Sequence, residues 1–389
     1  MPKPSVGSLT RTLMRHPVYM GNLLRQKYGF LMRRRWFAAN HARWDAVPEP
    51  LVYKFLLTLD CNLRCERCME WGDTGWCKSA GDGQYRGDLD WTILRDTIND
   101  VSGRRPSFIF SGGEPLLYGR FGELCRLMKS KKCSAIVCTN GTLLDRHVED
   151  IEGNPYVSYL VSLDGLRDEN DRLRGAGVYD KVVGNIRRLK SLRNPPYVGL
   201  QFTVMPENVG VIYDFCREAV NLGVDWVLLN PCWFITPEEA GEYEAYMREN
   251  FGIEPVTHKG YLRPYQADVE EFGRQMERVE GERWPMQISC YFKSPGKDMR
   301  RYVGGDGRPR DGAVCFKQWL RADVTNSGRV APCIQFPDLV FGDLRSQTVS
   351  EVWNSKEYAD FRRTICKRNM PLCEKCNNSY LYDTTRRHL

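Results

Sequence analysis

From Leu51 to Asn230 the chain alternates short apolar runs with longer stretches of helical spacing, and that rhythm leaves few folds open. Strands are read at Leu51–Leu59, Ser107–Phe110, Ala135–Thr139, Tyr159–Leu163, Gly199–Val204 and Trp226–Asn230. Between them, helices are read at Asp90–Val101, Arg120–Lys131, Asp180–Arg193 and Ile212–Leu222. Strands joined through helices lie parallel, because the right-handed crossover packs its helix back onto the sheet. The pattern therefore predicts an α/β fold in which a twisted parallel sheet curls toward a barrel, with ligands at the strands' carboxyl ends.

The first strand runs straight into LLTLDCNLRCERC, with Cys61, Cys65 and Cys68. Spacings of three and two residues put three sulfurs on one tight loop, and thiolates are the usual ligands of iron–sulfur centres. A four-iron cube held at three corners leaves one iron open to a small molecule. A structural zinc site takes four protein ligands, so a zinc loop or a chance cluster is the competing reading of the spacing.

Cys-x3-Cys-x2-Cys behind a first strand resembles the cluster loop of the radical S-adenosylmethionine (SAM) enzymes. The resemblance implies a partial (β/α)6 TIM-like barrel and a [4Fe–4S] cluster whose open iron is chelated by the amino and carboxylate groups of SAM. It further implies reductive cleavage of SAM to methionine and a 5′-deoxyadenosyl radical, which abstracts a substrate hydrogen atom. A low-potential donor such as flavodoxin or ferredoxin would supply the electron. One departure is Arg67, where the family usually has an aromatic residue; a cation there is expected to perturb the cluster's surroundings.

Ser111-Gly112-Gly113-Glu114-Pro115 closes the second strand and is similar to the family's GGE motif, so Gly112, Gly113 and Glu114 are expected at the SAM amino group. Thr139-Asn140-Gly141 ends the third strand and Ser162-Leu163-Asp164-Gly165 the fourth, followed by Asn170, Asp171 and Arg174. Small hydroxyls and carboxylates at strand ends suit ribose and amino-acid hydrogen bonds. The similarity adds Thr139, Asn140, Ser162, Asp164 and Arg174 as SAM contacts. Taken singly, each reads equally as a cap or turn. Asn170 stands where many relatives have His and is placed only near the site.

A second group of cysteines comprises Cys315, Cys333, Cys373 and Cys376. Spacing alone favours a zinc ribbon. With Gly342–Leu344, Val352–Ser355 and a tryptophan helix at Ser350–Arg362, however, the segment resembles the SPASM/Twitch extension of radical SAM enzymes. That implies one auxiliary [4Fe–4S] cluster on these four residues, with Cys366 able to replace one. A cluster filled by protein ligands suits electron transfer and an oxidative outcome. The other cysteines, Cys77, Cys125, Cys133, Cys138, Cys216, Cys232 and Cys290, read as buried hydrophobes. Cys77, Glu70 and Asp73 are kept as catalytic candidates because they follow the cluster loop.

The net charge of +7 sits in residues 1–50, where nine Lys/Arg face only Asp45 and Glu49, so the rest of the chain is neutral. That argues against a nucleic-acid grip spread over the protein. Apolar residues at helical spacing in Ser8–Phe37, interrupted by Pro17, predict two short helices. They either lie on anionic lipid, as peripheral membrane contact through residues 1–37, or pack across the barrel. Residues 231–312 form an aromatic-rich insertion ending in a linker at Gly304–Gly312, read either as a substrate lid or as ordinary core. The domains are thus 1–50, 51–230, 231–312 and 313–389. An odd count of 15 cysteines, with no signal-peptide pattern and no apolar run of about 20 residues, points to a reducing, cytoplasmic setting. The leading function is small-molecule dehydrogenation or C–H coupling. The alternatives are a peptide maturase, a lipid-modifying enzyme and a non-catalytic zinc protein that binds RNA.

Overall fold

The structure, a computed structural model, describes residues 6–40, 44–79, 86–292, 294–304, 313–367, 370–374, 376–377 and 383–385. Six strands follow in sequence order, all parallel: β1 (Val52–Thr58), β2 (Ser107–Gly112), β3 (Ser134–Thr139), β4 (Val157–Ser162), β5 (Val198–Val204) and β6 (Trp226–Pro231). Two further parallel strands extend the edges. β7 (Gln287–Cys290) comes from the insertion and pairs with β6. After β8 (Ala313–Cys315), the C-terminal β9 (Arg321–Val324) pairs with β1. β10 (Arg329–Ala331) and β11 (Gly342–Asp343) continue that edge antiparallel, and β12 (Asp383–Thr385) pairs with β8. The sequence hid β7 and β9 because four-residue strands reading QISC and RADV carry no apolar run.

Alternation along each strand divides the sheet into two faces. Tyr53, Phe55, Phe108, Val137, Tyr159 and Phe202 point outward into the main core beneath the helices. Helix Trp91–Val101 shows how that layer is built: Asp90 caps it through the amides of Thr92 (2.7 Å) and Ile93 (3.3 Å), and Leu94, Ile98 and Val101 are its buried stripe. The intervening residues Lys54, Ile109, Ile136, Cys138, Gln201 and Thr203 point to the other, concave face, where each keeps part of its surface accessible.

The insertion's aromatic side chains are core. Trp233, Phe234, Tyr243, Tyr265, Phe272 and Tyr302 are all buried in the main cluster. Its helices, Pro237–Phe251 and Val269–Glu280, are capped by Thr236 and Asp268. Residues 305–312 of the expected linker lie outside the described residues.

The N-terminal segment forms α1 (Val6–Arg15) and α2 (Pro17–Ala39), broken at Pro17 as expected, although α2 is long. α2 crosses the amino ends of the strands. Tyr19 stacks on Tyr197 at 3.6 Å just ahead of β5, His16 lies 3.3 Å from Asp225 ahead of β6, and Gln26 donates to Ser107 on β2. Arg33 is buried, donating to the carbonyls of Trp319 and Glu49, and so takes no part in an outer basic face.

Candidate active site

β1 ends at Thr58, and the turn after β2 is drawn against the chain that follows it. Thr58 O accepts from Gly113 N (2.9 Å) and Asp60 O from Glu114 N (2.8 Å). A Cβ on Gly113 would sit 2.3 Å from Asp60 O, and Gly112 adopts φ +128°, so neither position accepts a side chain without displacement. The cysteine loop is pinned on its other sides as well. Glu66 N donates to Leu173 O (2.9 Å), Gly72 N to Cys68 O (2.9 Å), and the Trp71 indole to Leu59 O (2.7 Å).

Cys61, Cys65 and Cys68 are free, half-buried thiols. Burial, with the neighbouring charges of Glu114, Cys68 and Cys65, pushes Cys61 up to about 12; burial and Glu70 push Cys68 up to about 11. Such thiols keep their protons at neutral pH until a metal displaces them. Among the described residues no three metal-binding side chains already stand in coordinating positions. The fold supplies a fixed loop carrying three soft donors, a set that fits iron–sulfur chemistry.

The residues expected at SAM are brought to this loop. Glu114 is fully buried; its carboxylate accepts from the Thr139 hydroxyl (2.6 Å), Asn140 N (2.7 Å) and Leu116 N (3.0 Å). The Asn140 side chain donates to Asn62 Oδ1 (2.9 Å), tying the end of β3 to the cysteine loop. Asp164 pairs with Arg174 at 2.6 Å and accepts from Thr203 N at 2.7 Å. Arg174 Nη1 approaches Cys65 Sγ at 4.0 Å, while its Nε and the Ser111 hydroxyl are buried without partners. Ser162 lies at the carboxyl end of β4. Asn170 is structural, its amide oxygen accepting from Asp164 N at 3.1 Å.

The catalytic candidates separate. Glu70 and Cys77 are buried and joined through the backbone, Cys77 N donating to Glu70 O at 3.0 Å, and burial raises the Glu70 carboxyl to about 7 despite Lys54. Asp73 is exposed and pairs with Lys78 at 3.2 Å. Arg67 does not present its charge unopposed, since its guanidinium pairs with Glu207 and lies 3.4 Å from Glu66. Glu207 supplies the counter-charge.

The second cysteine group is gathered by the C-terminal domain. Burial raises the Cys373 thiol well above its usual value, and Cys315, Cys376 and Cys333 are the charges that add to it, so the four share one neighbourhood. Cys366 lies on helix Lys356–Lys367 and packs against the main core. Beside them sits a knot with no motif: Asp323 binds Lys317 (3.0 Å), Arg321 (2.6 and 3.1 Å) and the amide of Ile334 (2.9 Å). Ile334 in turn packs in one apolar cluster with Leu56, Leu59, Trp71, Trp76 and Cys77, against which Cys61 and Cys68 lie. Tyr261 also bridges the two regions, its hydroxyl donating to Gln335 Oε1 and lying against Met69 Sδ. Lys54, inside the apolar strand VYKFLLT, stands opposite Asp323 in register.

Residues 55–219 match the family model of the Radical SAM superfamily, and residues 315–377 that of SPASM, an iron–sulfur cluster-binding domain. The chain is 26% identical over 351 residues to the pre-heme d1 synthase of Dinoroseobacter shibae, covering 85% of this chain and 78% of that one. It is 23% identical over 359 residues to a tungsten-containing aldehyde ferredoxin oxidoreductase cofactor-modifying protein of Pyrococcus furiosus, covering 84% and 87%. Among solved structures, Streptococcus suis SuiB bound to the precursor peptide SuiA superposes with TM-score 0.61 at 14% identity, covering 90% of this chain and 76% of that one. At that identity the likeness concerns the fold.

Proposed function

The chain belongs to the radical SAM superfamily and carries a SPASM domain, an enzyme working with a SAM-bound [4Fe–4S] cluster and an auxiliary iron–sulfur cluster, and we propose that it oxidises a small molecule held on the sheet's concave face. The observation that carries this reading is the shared apolar cluster, in which Ile334, beside Cys333, packs with residues of the Cys61–Cys68 loop. Two redox sites flanking one dry wall suit the removal of a hydrogen atom at one and an electron toward the other. When bound, SAM and its cluster supply a 5′-deoxyadenosyl radical, and the auxiliary cluster an electron acceptor.

The chain's own residues hold and orient. Cys61, Cys65 and Cys68 offer three corners, and Cys315, Cys333, Cys373 and Cys376 four. Gly112 and Gly113 bring backbone close, and Glu114, kept in place by Thr139 and Asn140, offers its remaining acceptor positions to an ammonium group. Arg174, oriented by Asp164, brings Nη1 to Cys65 and keeps Nε as an unpartnered donor suited to a carboxylate of SAM. Ser162 completes the strand-end set.

Relatives matched over most of their length are named for heme synthesis and cofactor modification, which supports a small-molecule substrate over a peptide. A Cys373→Ala variant is expected to release 5′-deoxyadenosine at the wild-type rate but to convert no substrate. Unchanged substrate conversion would remove the auxiliary site from the mechanism.

A second reading, concerning location, rests on a separate observation. Of the eight exposed large hydrophobics among the described residues, six (Leu13, Met14, Leu24, Tyr28, Leu31 and Met32) lie on α1 and α2. Arg11, Arg15, Arg25, Lys27, Arg34 and Arg35 are exposed on the same helices, and residues 1–44 contain no acid. An apolar, basic face suits an anionic membrane surface. Among the described residues no helix is long and apolar enough to cross a membrane. Co-sedimentation with phosphatidylserine vesicles, weakened by Leu24→Glu with Leu31→Glu, is the expected result; equal sedimentation of the variant would refute the reading.

A further inference from the structure

Where β9 lies along β1, Lys54 stands in register with Asp323 and on the concave face of the sheet. The obvious salt bridge is nevertheless absent. Asp323 is filled: Arg321 takes Oδ1 (2.6 Å), while Lys317 (3.0 Å), Arg321 (3.1 Å) and the amide of Ile334 (2.9 Å) take Oδ2. Three cations therefore face one carboxylate, buried Glu70 just after the cysteine loop is the other acid that feels Lys54, and among the described residues Lys54 has neither a hydrogen bond nor an ion pair.

The position of Lys54 makes that imbalance informative. Its ammonium lies deep in the protein, where burial and then Arg321 disfavour its charge, yet its side chain keeps accessible surface. Cys138 on β3, its electrostatic neighbour, shows the same combination. Side chains deep within a sheet yet still accessible border an internal space, here the inside of the curled sheet. Lys54 is four residues before Thr58, hence about 13 Å below the end of β1 at a strand's usual rise. That is below the cysteine loop and the strand-end residues assigned to SAM. The Lys54 side chain keeps surface on that space and has the cations Arg321 and Lys317 beside it, an arrangement that suits an anionic ligand.

We propose that Lys54 anchors a carboxylate of the substrate inside the barrel, beneath the three-cysteine loop, where the filled Asp323 leaves its ammonium free to pair. This deepens the reading of a small-molecule substrate and rests on it only for the use to which the site is put. The anion would form a charge-assisted hydrogen bond with Lys54 Nζ, and the cation-rich surroundings of Arg321 and Lys317 would add to it. No covalent or redox step involves Lys54.

The test uses the full, cluster-reconstituted chain with propionate as the carboxylate probe and propionamide, at matched ionic strength, as the uncharged control. Propionate is expected to raise the wild-type Tm saturably, and propionamide not to. Lys54→Met should weaken the apparent propionate affinity about tenfold or more, with Lys54→Arg retaining most of it. Without probe, Lys54→Met should be at least as stable as wild type, because it removes a cation that makes no ion pair and is repelled by Arg321 and Lys317. Equal propionate response in wild type and Lys54→Met, or no response in either, would overturn the proposal. So would a lower probe-free Tm for Lys54→Met, which would show the lysine paired within the fold. A changed auxiliary-cluster potential with propionate binding intact would make Lys54 a counter-ion of that cluster and likewise overturn it. Release of 5′-deoxyadenosine by the wild type is measured in parallel; its absence would count against the proposed function while leaving the propionate result to stand by itself.

Discussion

Asp323→Asn is the substitution with the largest consequence that the structure allows to be worked out. The aspartate is fully buried and neutralises Lys317 and Arg321, themselves only 2% and 8% exposed. Asparagine keeps the shape and loses the charge, so both cations lose their pairing with a carboxylate. Breaking a buried pair from one side costs about 3–5 kcal/mol, a large share of the roughly 5–15 kcal/mol that holds a domain together. The loss should appear in urea unfolding at pH 7 as a lower midpoint. The pH dependence adds a second check. Burial alone would raise the Asp323 carboxyl, but Arg321 and Lys317 outweigh it and hold it well below the usual range. A depressed carboxylate contributes above its unfolded pKa and loses that contribution as pH falls through its folded value. The difference between wild type and variant should therefore persist at pH 5 and begin to shrink below about 4. A loss under about 1 kcal/mol at pH 7, below the range for breaking a buried pair, would refute the account of the knot.

Other substitutions probe the loop and its surroundings. Gly260→Ala would place a Cβ 2.2 Å from the carbonyl oxygen of Met69, which must move with the cysteine loop; reconstituted iron per chain should fall, as measured by colorimetric assay. Glu114→Ala leaves the Thr139 hydroxyl and the amides of Asn140 and Leu116 without their acceptor. Each such group costs about 1–3 kcal/mol, so lower stability in urea should accompany SAM binding weakened more than tenfold in equilibrium dialysis. Asp225→Ala removes the buried partner of Lys190 (2.8 Å), of Val198 N (2.9 Å) and of His16 on the α1–α2 connection. Faster proteolysis within residues 6–39 is the expected readout.

The six-strand rhythm was legible because parallel strands buried under helices must be apolar, and the Cys61–Cys68 loop because its spacing survives without any knowledge of tertiary contacts. The two edge strands were not. β7 and β9 are strands only because β6 and β1 present free edges to pair with, a condition no four-residue window records. The placement of Glu70 inside and Asp73 outside was equally invisible, since both follow the loop within five residues of Cys68 and only the turn toward Trp76 separates them. Arg67 read as an unopposed cation near the cluster until Glu207, 140 residues later, came within pairing distance. Lys54 was visible as a letter in VYKFLLT, but its meaning depends on Asp323 being already filled.

The most direct test of the account is to reconstitute the purified chain anaerobically with iron and sulfide, add SAM and dithionite, and follow the nucleoside products by chromatography. The account predicts 5′-deoxyadenosine release that disappears in Cys65→Ala. Intact SAM in the presence of a spectroscopically verified [4Fe–4S] cluster would contradict it.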